Sequence, residues 1–138
     1  MVAVLPLRKK TNNMNIRRFN DSDYEMVCSW WKQHEWPSIP LDFLPKVGII
    51  IDDCAAGFLY STDSKICWLE FIVVDPRSDK AKRRAALDTL ISSASEIAKE
   101  MGHSVIFTSA SHEGLISRYI NDGFQITDKT MTNLMRIL

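Results

Sequence analysis

Glu70 interrupts an almost unbroken apolar run, Ile66-Cys-Trp-Leu-Glu-Phe-Ile-Val-Val74. A carboxylate in such a strand is costly unless it is paired or put to use, and proton transfer is the use that burial favours. Just downstream, Lys80, Lys82, Arg83 and Arg84 crowd the start of an amphipathic run. Cations at a helix N-terminus oppose the macrodipole. Either they form a solvated helix start, or they meet an anion directly through their side chains, and the unfavourable placement favours the anion. Other candidates are weaker. His34 and His103 are single histidines that read as helix-end or surface residues, and Asp52-Asp53 reads as turn chemistry. Cys28, Cys54 and Cys67 form no Cys-x-x-Cys or Cys/His ligand spacing, so they read as reduced structural thiols of a cytosolic-type compartment, with no metal. The sequence holds no Gly-x-Ser-x-Gly elbow, no Gly-x(4)-Gly-Lys-Ser/Thr loop and no His-Glu-x-x-His pair, so the reactions those motifs carry find no support.

These groups need a scaffold, and the chain is large enough for one domain at 138 residues. Hydrophobic residues make up 46% and charged residues 25%, which excludes a disordered or collagen-like chain. Lys plus Arg and Asp plus Glu both total 17, and zero net charge argues against a general nucleic-acid binder. No apolar stretch approaches the roughly 18 residues of a membrane span. Residues 1–13 read as an extension outside the core, with the basic cluster Arg8-Lys9-Lys10 placed after the apolar start, opposite to a secretory signal. Without those three cations, Met14 to Leu138 holds 17 − 3 = 14 basic against 17 acidic residues, a slightly acidic domain with a concentrated basic loop.

The domain 14–138 reads as β-α-β-β-β-α-β-α-β-β. A half-buried strand starts at Met14, and Ser22 with Glu25 fits a capping box for a helix running to about His34. Pro37, Pro40 and Pro45 exclude regular structure between Glu35 and Lys46. Val47–Ile51 and Ala55–Tyr60 read as a hairpin, and Ile66–Val74 as a strand covered on both faces. Leu87, Leu90, Ile91, Ala94, Ile97, Ala98 and Met101 recur at helical spacing up to the Gly102 stop. A strand at Val105–Thr108, a short helix to about Asn121, a Gly123 stop and a final strand pair ending at Leu138 complete the series. The expected architecture is α/β (α+β), a mixed sheet with helices on both faces.

Two segments together resemble the GNAT superfamily of acetyl-coenzyme A-dependent N-acetyltransferases. They are Trp68-Leu-Glu-Phe-Ile-Val-Val-Asp-Pro76, with its basic loop and helix, and His112-Glu-Gly-Leu-Ile-Ser-Arg-Tyr-Ile-Asn-Asp-Gly-Phe124. The second is the more specific, with Tyr119 four residues before Gly123-Phe124 as the family pattern Asn-x(6)-Tyr-x(3)-Gly-Phe asks. Strand and helix order extend the likeness over Met14 to Leu138. It departs from the family at the pyrophosphate loop, usually Arg/Gln-x-x-Gly-x-Gly/Ala, because Ser78-Asp-Lys-Ala-Lys-Arg-Arg-Ala85 has no glycine. Counting from Pro76 puts Lys82 and Arg84 at the glycine positions; matching the apolar helix face puts Ala81 and Arg83 there. His112 stands where the family usually carries Asn.

The resemblance implies a GNAT fold with a mostly antiparallel sheet of six to seven strands. It implies acetyl-CoA as co-substrate, no metal, and acetyl transfer to a small-molecule or protein amine by direct attack in a ternary complex. Tyr119 matches the phenol that protonates the leaving thiolate, with a buried packing tyrosine as the other reading; Glu70, from its place in the strand that would meet the cofactor, is the candidate general base, acting directly or through water, or else faces solvent at the strand edge. The cofactor would lie along Ile72, Val73 and Val74, whose backbone N–H groups polarise the carbonyl, and over Lys80, Ala81, Lys82, Arg83, Arg84, His112 and Tyr119. The region after the first helix usually shapes the acceptor site; here Trp30, Trp36 and Phe43 could wall it, or pack beneath the loop, as Trp31 is read to do. The missing glycines support an alternative, a GNAT-fold binding or interaction module without catalysis. A third reading is phosphoprotein or nucleic-acid contact through Lys80 to Arg84. A homodimer is compatible with the sequence, and neither a membrane nor, given the zero net charge, a nucleic-acid partner is expected.

Overall fold

The computed structural model describes residues 13–138, so the expectation for the leader lies, Asn13 apart, outside the described residues. The elements run β1 (Ile16–Arg18), α1 (Tyr24–Gln33), β2 (Val47–Ile51), β3 (Ala55–Ser61), β4 (Ile66–Val74), α2 (Lys80–Glu100), β5 (Val105–Phe107) and α3 (Glu113–Asn121). One sheet has strand order β1-β2-β3-β4-β5. The first three pairings are antiparallel and β4 with β5 is parallel. No helix of the described residues is long and apolar enough to cross a membrane.

The periodic apolar pattern becomes two packed layers. On one face Ile49, Ile51, Leu59, Cys67 and Leu69 meet Leu90, Ile91 and Ala94 of α2, with Tyr119 of α3 joining them. On the other, Ile50, Phe58 and Val73 meet Val27, Trp30 and Trp31 of α1. Every residue of β2 is buried, as a strand covered on both sides requires. The hairpin turns at Asp52 and Asp53, both at positive φ (52° and 47°), and closes with Cys54 N–H donating to Ile51 O at 2.8 Å. Short carboxyl side chains tolerate this left-handed geometry better than bulky ones. All three cysteines are free thiols.

Gly48 marks the tightest packing of the α1 layer. A Cβ there would stand 2.7 Å from Phe19 Cβ and 2.9 Å from the Phe58 ring, whose edge meets Phe19 at a 5.1 Å centroid distance. Gly48→Ala should cost about 1–3 kcal/mol by overpacking, read as a fall of the thermal midpoint; an unchanged midpoint would mean that this layer yields.

Three expectations are corrected. The capping box is Asn20 with Asp23, not Ser22 with Glu25: Asn20 Oδ1 accepts from Ser22 N–H at 3.0 Å and Asp23 Oδ2 accepts from Asn20 N–H at 2.9 Å. Chain entry is thereby shifted forward through one 3₁₀ turn, Asp21–Asp23, that runs directly into α1. The final strand pair is absent. Residues 125–138 carry no regular structure and are exposed throughout, so the sheet has five strands among the described residues rather than six or seven. The physical reason is pairing: β5 offers an edge of three residues, and the tail's hydrogen bonds are local, from Thr130 to Asp128.

Candidate active site

The site begins where the sheet splits. β4 and β5 pair only from Ile66 with Val105 to Trp68 with Phe107. β5 then ends, while β4 continues six residues to Val74. Thr108 pins the parting strands, its Oγ1 donating to Leu69 O at 2.7 Å. Beyond that point one edge of β4 has no neighbouring strand among the described residues, and such an edge presents backbone donors and acceptors to any extended, amide-bearing ligand.

A bulge bends β4 at the same place. Val73 pairs with Ala56 and Glu70 with Phe58, so Phe71 and Ile72 together oppose Gly57. Phe71 carries the local strain, with φ at 57°, and bulges of this kind re-aim side chains next to functional sites. Gly57 permits the close approach: a Cβ would meet Leu90 Cδ2 at 3.2 Å and Ile72 Cγ1 at 3.3 Å.

The resulting cavity has a volume of about 310 Å³. Leu69, Glu70, Phe71 and Ile72 of β4 line it together with Thr108 and Ser109, Leu115 and Tyr119 of α3, and Trp31, Trp36, Pro37 and Ile39. The two candidate proton-transfer residues thus share one apolar cleft. Burial raises the Glu70 carboxyl above its ordinary value, and among the described residues no side chain hydrogen-bonds it. Tyr119 is 5% exposed. Burial pushes its phenol up to about 12, the Glu70 charge adding to the rise and Thr108 opposing it. Thr108 Oγ1 lies 3.3 Å from the phenol oxygen. α3 is held by its own Gly123 stop, where Phe124 N–H donates to Tyr119 O at 2.9 Å and the two rings pack at 4.9 Å, and by Arg118, which donates to Asp88 Oδ1 of α2 at 2.7 Å.

The aromatic candidates separate. Trp36 lines the cleft, half-exposed and stacked on His34 at 4.3 Å. Trp30 does not; it is 1% exposed within the α1 layer. Phe43 lies outside the cleft at 61% exposed, contributing its carbonyl to Tyr60 Oη at 2.7 Å. Trp31, read from sequence as packing, both packs against Phe58 and reaches the cavity. His34 was read as a lone helix-end residue, yet its Nε2 lies 2.9 Å from Val74 O. That contact spans 40 residues of sequence, and no local pattern announces it. His103 likewise has partners, Ser61 Oγ at 2.7 Å and Ser64 O at 3.2 Å.

Of the strand-end residues, Val73 is buried in the α1 layer, while Ile72 and Val74 pack partly on the other side. The basic run also divides. Asp79 caps α2, accepting from Lys82 N–H at 2.8 Å. The N–H groups of Lys80 and Ala81 at the helix start remain available for an anion. Arg83 folds inward to donate to the carbonyls of Pro76, at 3.3 Å, and Ser78. Lys82 Nζ stands 3.7 Å from Asp52 Oδ2, and Lys80 and Arg84 are exposed. His112 is the exposed N-cap of α3 and makes no side-chain cap bond. No group of three potential ligands could hold a metal among the described residues.

No family model matches the sequence, and no curated protein does. Solved structures do match. AAC(6')-Iy, in complex with the bisubstrate analogue CoA-S-monomethyl-acetylneamine, superposes with TM-score 0.63 and 22% identity over 90% of this chain and 99% of its own. The ribosomal-protein-S18-alanine N-acetyltransferase of Escherichia coli gives 0.64 and 18% over 81% and 77%. YncA of Salmonella typhimurium, a putative acetyltransferase solved with acetyl-CoA, gives 0.66 and 13% over 83% and 81%. With its split β4–β5 edge and its mixed sheet between helical layers, this chain has the fold of the GNAT-superfamily acetyltransferases.

Proposed function

We propose that this protein transfers an acetyl group from acetyl-CoA to an amine by direct attack within a ternary complex. The observation that carries the reading is the open cleft at the β4–β5 split, with Glu70 and Tyr119 lining it together. Neither Lys82 nor Arg84 lines it.

The residues present fit the cofactor, though not through glycines. The free edge of β4 past Leu69 suits the amide-bearing arm. The start of α2 suits the diphosphate through the N–H groups of Lys80 and Ala81 and the side chains of Lys80, Lys82 and Arg84. Arg83 acts as the brace of that loop. When bound, acetyl-CoA supplies an acyl group activated as a thioester. Glu70 takes the proton from the attacking amine as the N–C bond forms, and Tyr119 gives its phenolic proton to the sulfur as the C–S bond breaks. Backbone N–H groups of the bulged β4 segment polarise the acyl carbonyl. Trp31 and Trp36 wall the acceptor end, and Trp36 is held in place by its stack on His34.

Asp79 is the counter-argument in the site, a carboxylate placed where a diphosphate would approach. It supports the second reading, a GNAT-fold binding module without turnover. Asp79→Asn keeps an acceptor oxygen for the cap and removes the charge, so CoA should bind about 2–5-fold more tightly, the range expected for one charge at a helix N-terminus. Unchanged affinity in a calorimetric titration would place the diphosphate elsewhere. Free-thiol release from acetyl-CoA across a panel of small amines and peptide N-termini tests the activity itself. Release stimulated by an amine supports the enzyme; cofactor binding with no release for any amine supports the module.

A further inference from the structure

Among the described residues, Glu70 is the only charged side chain that lines the cleft. The loop from α1 to β2 carries two more carboxylates, Glu35 and Asp42, and both lie outside the lining. The lining holds no lysine, arginine or histidine either. Backbone acceptors around it are already engaged. Trp31 O accepts from the N–H groups of His34 and Trp36 at 3.1 and 2.9 Å, Ile39 O from Tyr24 Oη at 2.7 Å, and Leu69 O from Thr108. A second ammonium group brought into the cleft would lose its water without gaining a partner, which is strongly unfavourable. The cleft has room for one positive nitrogen, at Glu70.

Trp36 offers a contact of another kind. One face of its indole stacks on His34, with the planes 14° from parallel. The other face has no aromatic partner among the described residues, and the residue is 49% exposed. An indole held flat and half-exposed in this way is a platform for a planar apolar group. Size narrows the occupant further. About 310 Å³ is at the small end for ligand sites, and the same space has to receive the acyl end of the cofactor.

We propose that the acceptor is a small aromatic monoamine, with its one nitrogen at Glu70 and a planar apolar ring on Trp36. The inference rests on the acetyl-transfer reading of this cleft and narrows it to a substrate class. Polyamines and aminosugars are rejected because their further ammonium groups find no carboxylate. A peptide N-terminus is rejected because the peptide groups behind it need partners, and the neighbouring carbonyls are engaged. Selection is thus by charge count and by flatness.

Two readouts separate the substrate class from the chemistry. In the ¹⁵N-labelled full chain, with and without coenzyme A, phenethylamine should shift the indole N–H signals of Trp31 and Trp36, and spermidine and neamine at the same concentration should not. In thiol release from acetyl-CoA, kcat/KM should be at least about 10-fold higher for phenethylamine than for ethylamine, the least expected for methylenes held in an apolar pocket, and spermidine should be the poorest of the three. Trp36→Ala, at a half-exposed position that the core does not need, should lower the phenethylamine-to-ethylamine ratio by about 10-fold. Indole shifts with phenethylamine but no thiol release from any amine would refute acetyl transfer and support the cleft as a site for this class of amine. No indole shift with phenethylamine, tighter binding or faster turnover of spermidine, neamine or a peptide N-terminus, or an unaltered ratio in Trp36→Ala would each overturn the proposal.

Discussion

Replacing Glu70 with Gln should lower kcat/KM for an amine by about 10²–10³-fold, the range for loss of a positioned general base. Gln keeps the shape and half-buried setting of the side chain, so the loss reports proton transfer rather than collapse of the cleft. The native rate should rise with pH through the Glu70 pKa, because only the carboxylate accepts a proton. Burial places that rise above the ordinary carboxylate value, and the Gln protein should lack it. Stability should move the opposite way. A carboxyl whose pKa is raised on folding binds its proton more tightly in the folded state, so its contribution is present at acid pH and is lost as pH rises through the folded pKa. Above the folded pKa the native protein holds an unpaired carboxylate in an apolar cleft, and there Glu70→Gln should melt higher than the native chain. A variant as active as the native protein would remove the base assignment.

Tyr119→Phe should reduce kcat by about 10²-fold while leaving KM nearly unchanged, the pattern of a group that acts in the transition state alone. With its pKa pushed up to about 12, the phenol carries its proton throughout the neutral range and can deliver it to a departing thiolate. The fold should lose about 1 kcal/mol, the worth of one modest hydrogen bond, because Thr108 keeps its 2.7 Å bond to Leu69 O. Equal losses in kcat and in cofactor binding would make Tyr119 a packing residue only.

Most of the scaffold was legible where one side-chain period and one partner sufficed. The α2 repeat placed Leu90, Ile91 and Ala94 on the buried face they occupy, and the Asp52-Asp53 pair marked the turn that those residues make. Glu70 stood out because a carboxylate conflicts with its strand, a conflict visible without coordinates. Tyr119 came through the spacing to Gly123-Phe124, carried by the GNAT resemblance. What stayed hidden depends on contacts remote in sequence. The positive φ of Phe71 is imposed by the register between β3 and β4, since phenylalanine does not by itself favour it. Which of Trp30 and Trp31 reaches the cleft is decided by how α1 docks, as two adjacent residues of a helix point about 100° apart. The bond from His34 to Val74 joins α1 to the end of β4 and leaves no local trace. The tail misled for the complementary reason: its alternation is that of a strand, but a strand forms only where an edge receives it.

The central claim is that the cleft and the basic start of α2 together receive acetyl-CoA in spite of the missing glycines. Calorimetric titration of the full chain with acetyl-CoA tests it most directly. The predicted result is saturable binding of one cofactor per chain, weakened by added salt because side-chain cations replace the usual backbone cradle. No binding at millimolar acetyl-CoA would contradict the account.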